Sequence, residues 1–149
     1  MHEDTAHELG WSLAIGAWYA VVGFASVLAV GALSTAFVAP LDFVLSATAG
    51  VLLAATVLWW RGAERPGVRT RRRSAAVGAV VGLVSPTLAF ALNPVVYGSS
   101  AGFLVRLASG VVAAGVLGLN ALLATFGLTV VLGALTGWST AGWISLLRE

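Results

Sequence analysis

Four apolar runs, each long enough to cross a bilayer as a helix, set the limits on what this chain can fold into. They extend from Leu9 to about Val38, from Leu41 to Trp60, from Ala75 to Tyr97 and from Phe103 to Leu135. The second is about 20 residues long, the length one crossing of the hydrocarbon core requires. Composition agrees. The chain is 59% hydrophobic and 9% charged, with mean hydropathy +0.97, whereas soluble domains carry about 25% charged residues. The expected fold is an all-α integral membrane protein, a single transmembrane domain over residues 1–149.

The expected helices cover about 9–38, 41–60, 75–97 and 105–135. Thr5-x-x-Glu8 has the form of a capping box at the start of the first. No basic region precedes this run, as it would in a secretory signal, so the first helix is expected to be retained. Pro40 separates the first two runs, Asp42 opens the second where a carboxylate suits a helix N-terminus, and Trp59 and Trp60 close it as an interfacial belt.

A cytoplasmic loop, 61–74, follows. It holds Arg61, Arg65, Arg69, Arg71, Arg72 and Arg73, six of the chain's eight basic residues, all of which are arginine. The positive-inside rule places it, and with it the N-terminus two crossings earlier, in the cytoplasm of a multi-pass cell-membrane protein. The same arginines suit anionic lipid headgroups. The high pI comes from this one cluster and carries no nucleic-acid signature.

Two counts are open for the C-terminal third. One tilted helix to Leu135 with an interfacial segment over 136–149 gives a bundle of four. A turn at Gly118-Leu119-Asn120 gives five. A duplicated hairpin bears on this choice: VVGFAS from Val21 resembles VVGLVS from Val80, and FVLSATAGVLLAA from Phe43 resembles FLVRLASGVVAAG from Phe103, at offsets of 59 and 60 residues. Such a repeat would end the fourth helix near Asn120.

Within the third run, Gly78, Gly82, Pro86, Ala89 and Asn93 share one helix face, and Pro94 follows. Pro86 and Pro94 donate no N–H to the carbonyls of Gly82 and Phe90, so a proline-kinked third helix is expected. Asn93 then either bonds a neighbouring helix or joins Ser85 and Thr87 in lining a polar path with the freed carbonyls. Small faces recur at Gly16, Ala20 and Gly23, at Ser46, Gly50 and Ala54, and at Gly110, Ala114 and Gly118. They suit close helix association within a bundle, with another membrane protein or in a homo-oligomer. Asp42 and Arg106, near corresponding helix ends, are a candidate ion pair. Asn120 is a candidate packing bond or turn residue.

The chain has no cysteine, which excludes disulfides and thiolate sites. His2 and His7 lie in the polar N-terminal stretch, and the apolar runs contain no histidine, glutamate or lysine. With no nucleophile–base set, paired carboxylates or phosphate loop, neither catalysis nor a metal or cofactor is expected. The expected function is an accessory, assembly or structural envelope component acting through helix association. The alternative is a small oligomeric channel or uncoupled transporter using the third helix.

Overall fold

The structure is a computed structural model that describes residues 2–33, 40–67, 70–98, 102–124 and 127–147. All its regular elements among these residues are helical. They are α1 (His2–Leu33), α2 (Leu41–Trp59) continued by a π-helical turn (Trp60–Glu64), and α3 (Arg71–Tyr97). A broken segment follows: α4 (Phe103–Ala113), a second π turn (Ala114–Gly118), α5 (Leu119–Ala124) and α6 (Leu128–Leu147). Four helical stretches are long and apolar enough to cross a membrane: Ala6–Ala29, Leu41–Glu64, Arg71–Tyr97 and Phe103–Ala121.

Several boundaries differ from those the sequence suggests. α1 is already helical at His2, so Thr5 lies inside the helix and does not cap it. At its far end, residues 34–39 lie outside the described part. α2 does not stop at its tryptophans. It runs on through the π turn, closed by the Arg65 N–H on the Trp60 carbonyl at 2.8 Å, until Gly67 turns the chain with φ +64°. α3 starts at Arg71, not Ala75, because the Thr70 hydroxyl accepts from the Arg73 N–H at 3.4 Å. The expected 61–74 loop therefore contracts to residues 65–70, with Arg61 in the π turn and Arg71, Arg72 and Arg73 in the first turn of α3. Three cations at the positive end of a helix dipole are unfavourable for the helix itself. Their placement calls for a reason outside helix stability.

The largest difference lies in the last third. The single helix expected over 105–135 is two, separated around Gly127, whose φ of +71° only glycine adopts without strain. At Gly118-Leu119-Asn120, where a turn was the alternative, the chain stays helical and forms the π turn and α5. Residues 136–147 are not an interfacial tail but the second half of α6, with Thr136, Thr140, Ala141 and Ile144 buried.

Glycine contacts explain this arrangement. From Thr129 through Gly133 to Gly137, successive turns of α6 meet Gly82, Gly78 and Ser74 of α3 in antiparallel order. A Cβ added at Gly78, Gly82, Gly133 or Gly137 would collide with the backbone carbonyl of Gly133, Thr129, Gly78 or Ser74 respectively. The α4–α5 rod behaves differently. Between Gly110 and Gly118 it advances two turns while its contact on α3 moves one turn, from Ala91 to Thr87. It therefore crosses α3 obliquely, and α4–α5 and α6 together descend along α3 in series.

The remaining interfaces also close over small residues. Gly16 and Gly23 of α1 pack on Thr56, Leu52 and Val51 of α2, and Gly50 of α2 packs on Leu88 and Ala89 of α3. Gly50 and Gly110, which a duplication would equate, thus both face α3, so they do not play equivalent parts in their hairpins. At the arginine-bearing end Ile15, Trp59, Ala63 and Ile144 form one core, to which the start of α1, the π turn and the end of α6 contribute.

Candidate functional site

The helices form a half-open cavity of about 480 Å³ alongside Pro86. It lies where α4–α5 diverges from α3 and α6 begins. The α3 wall is Gly82, Ser85, Pro86 and Ala89, the small face the sequence places on one side of that helix. Tyr19, Gly23 and Ser26 come from α1, and Phe43, Ala47 and Val51 from α2. Ala121, Thr129, Leu132 and Thr136 close it from α5 and α6.

Hydroxyls are frequent in this wall, yet nearly all are engaged with backbone. Tyr19 Oη donates to the Gly133 carbonyl at 3.4 Å, linking α1 to α6. Ser26 donates to the Val22 carbonyl at 2.7 Å, Ser85 to Val81 at 2.6 Å and Thr136 to Leu132 at 2.8 Å. Thr129 is the exception: its Oγ1 is buried and has no hydrogen-bond partner. One carbonyl in the same wall is also released, because Pro86 has no N–H for Gly82. The surface offered to an occupant is largely apolar, because the engaged hydroxyls and the buried Thr129 oxygen turn little polarity toward it.

Of the residues singled out from the sequence, Gly82, Ser85 and Pro86 belong to this wall. Gly78 lies one turn away, against Gly133. Asn93 does not join them. Its Nδ2 donates to Ser46 Oγ of α2 at 3.5 Å, and Ser46 donates in turn to the Asp42 carbonyl at 2.9 Å. Thr87 packs against Gly118 of the rod. Pro94 lies in the last turn of α3, where its carbonyl accepts the Gly98 N–H at 3.0 Å. Asn120 is exposed and donates to Val116 in its own helix at 2.7 Å, so it is neither a turn residue nor an interhelical bond.

Arg106 and Asp42 are not paired. The Arg106 guanidinium donates through Nη1 to the Val95 carbonyl at 3.3 Å, at the end of α3, and its side chain lies against Gly98. The arginine thus ties α4 to α3 without reaching α2. Arg71 stacks over Trp138 of α6 at 5.0 Å and Arg65 over Trp60 at 5.8 Å, while Arg73 Nε donates to the Gly62 carbonyl at 2.5 Å. Arg61 and Arg72 are exposed, and Arg69 lies outside the described residues. His7 accepts from the indole N–H of Trp11 at 3.1 Å.

Three features escaped the sequence reading. Tyr19 and Thr129 were single hydroxyls in apolar runs, and only the spacing of hydroxyls along α1 and α6 would have marked them. Glu64, counted with the arginine loop, is 2% exposed and accepts the Trp59 indole N–H on Oε1 at 3.2 Å.

Loss of the Asn93 amide is expected to be mild. Interhelical hydrogen bonds of this kind average about 0.6 kcal/mol, and 3.5 Å is long for one. Asn93→Ala should lower the melting temperature in detergent by no more than about 2 °C. A drop of 10 °C would mean that the amide carries far more of the α2–α3 contact than this geometry provides.

These features define an all-helical chain with four helices fit to cross a membrane and a largely apolar cavity in the bundle. Comparison with protein-family models, curated proteins and solved structures finds no match.

Proposed function

We propose that this is a multi-pass membrane protein that works by helix association, as an accessory, assembly or structural envelope component, and not by catalysis. The observation that carries this reading is the isolation of α4. Of the Phe103–Ala121 span 11% is buried, against 28% in each of the other three spans. Gly110 and Gly118 face α3, and the rest of its circumference presents Leu104, Val105, Val111, Val112 and Val116, each more than half exposed. A helix held, among the described residues, by one neighbour is a natural seat for a helix of a second copy or of another membrane protein, because lipid and protein side chains compete there on packing alone.

In this reading the arginine-bearing end faces the cytoplasm, where anionic headgroups offset the unfavourable start of α3. Native mass spectrometry of the protein extracted from its own membrane in a mild detergent tests the proposal. A homo-oligomer or a stoichiometric companion is expected, lost in Val112→Trp. A monomer in every mild detergent would refute it.

A small channel or uncoupled transporter, hinged at a bend in α3, is the second reading. The cavity beside Pro86 is the observation in its favour, and the engagement of its hydroxyls with backbone counts against a strongly polar solute.

A further inference from the structure

We infer that the arginines at the joined ends of α2 and α3 form a discrete binding site for the headgroup of an anionic phospholipid. Arg61 and Arg72 contact the phosphate, and Arg65, Arg71 and Arg73 are fixed on the protein around them. The inference rests on the reading that this end lies at the cytoplasmic membrane surface, and not on association through α4.

In an unstructured loop these arginines would attract an anionic membrane only diffusely. Folding gathers Arg61, Arg65, Arg71, Arg72 and Arg73 onto two helix ends that are bonded to each other. Arg73 Nε donates to the Gly62 carbonyl at 2.5 Å, next to Arg61, and Gly62 packs on Val77 one turn further along α3. Two more guanidinium groups are held on indole rings. Arg65 lies over Trp60 at 5.8 Å, and Arg71 lies over Trp138 at 5.0 Å, beside Gly142 of α6. Indoles settle at the headgroup level of a bilayer, so these rings set the guanidinium groups at the depth of the phosphates.

Charge balance supplies the class of ligand. All five side chains are exposed, and Arg61 and Arg72 bond no other group of the protein. Glu64 is the one carboxylate between Arg61 and Arg73 in the sequence, and it is turned inward, 2% exposed, with Oε1 on the Trp59 indole. The cluster is therefore a fixed positive face whose own segment offers no surface carboxylate. A phosphate diester answers it with two charged oxygens, which guanidinium forks match in geometry as well as charge. A zwitterionic lipid carries the same phosphate but brings a cation of its own into the cluster, which costs it affinity. The fit is to a lipid of net negative charge.

The test uses the full-length protein, delipidated in dodecyl maltoside and titrated with phosphatidylglycerol or with phosphatidylcholine of the same chains. Native mass spectrometry reads the bound lipid and, in the same spectra, the oligomer. Saturable binding of phosphatidylglycerol is expected, with phosphatidylcholine at least about fivefold weaker. Removing each cation should cost roughly fivefold, so Arg61→Gln with Arg72→Gln should weaken phosphatidylglycerol about 30-fold. Neither side chain bonds the protein, so the lipid-free melting temperature should not move. Arg61→Lys with Arg72→Lys keeps both charges and should bind within a few-fold of the wild type. Equal binding of the two lipids, undiminished binding by the double glutamine variant, or displacement of the lipid by inorganic phosphate would overturn the inference. Placement is read separately with Pro66→Cys, an exposed position in a chain that has no other cysteine. An impermeant maleimide should label it only in broken cells, and labelling in intact cells would overturn the cytoplasmic placement on which the inference rests.

Discussion

Replacing Gly82 by valine should prevent the bundle from assembling. A Cβ at this position meets the carbonyl of Thr129, with the Cα of Val130 behind it at 2.9 Å, and both are backbone atoms of a helix that is itself fixed on α3. Overpacking usually costs about 1–3 kcal/mol because a side chain yields. Here none is available to yield, so the cost should exceed about 3 kcal/mol. Gly133→Val, which meets the Gly78 carbonyl and the Gly82 amide nitrogen, should fail the same way. Gly10→Ala is the control: nothing lies within 4 Å of a Cβ there, and alanine suits a helix better than glycine by about 0.5–1 kcal/mol. Fluorescence-detected size-exclusion chromatography of detergent extracts reads all three. A monodisperse Gly82→Val peak melting with the wild type would show that α3 and α6 do not meet as described.

That glycine seam also marks where the sequence was legible and where it was not. Gly78 and Gly82 are visible as a small face because helical spacing is a one-dimensional property. Their partners are not, since the meeting of two faces depends on the path of the chain between them. Gly133 and Gly137 have the same spacing, but an expected helix end at Leu135 fell between them and hid the pair. The break that frees them is set by a positive φ at Gly127, one glycine among eighteen, with no local signal separating it from those buried in helices.

The cavity was legible only in part, for a related reason. One wall, Gly82 to Ala89, could be drawn on a helical wheel. Its existence depends on α4–α5 crossing α3 obliquely, and that angle follows from contacts at Gly110 and Gly118 that no linear pattern encodes. Asn93 drew attention because an amide in an apolar run is conspicuous, but it lies on the α2 contact. Thr129, an ordinary hydroxyl in the same composition, is the cavity-wall hydroxyl left without a partner.

Loss of the Glu64 side chain should be the most damaging polar substitution in the described part of the protein. Glu64 ends the π turn that carries α2 past its tryptophans. Its Oε1 accepts the indole N–H of Trp59, a fully buried ring in the core of the arginine-bearing end. Glu64→Ala strands that N–H and opens a void beside the ring, at a cost of about 2–3 kcal/mol, or a fall of roughly 5–10 °C in melting temperature. Glu64→Gln keeps a carbonyl oxygen in place and should recover most of the loss. Trp59→Phe removes the donor instead, and after it Glu64→Ala should cost distinctly less than in the wild type, because the two side chains act as one unit. Thermal melts of the four proteins in one detergent measure that coupling. Should Glu64→Gln fall as far as Glu64→Ala, acceptance of the indole proton would not be what Glu64 contributes. The carboxyl would then act through its other contacts at the connection to α3, beside Arg73 on Gly62.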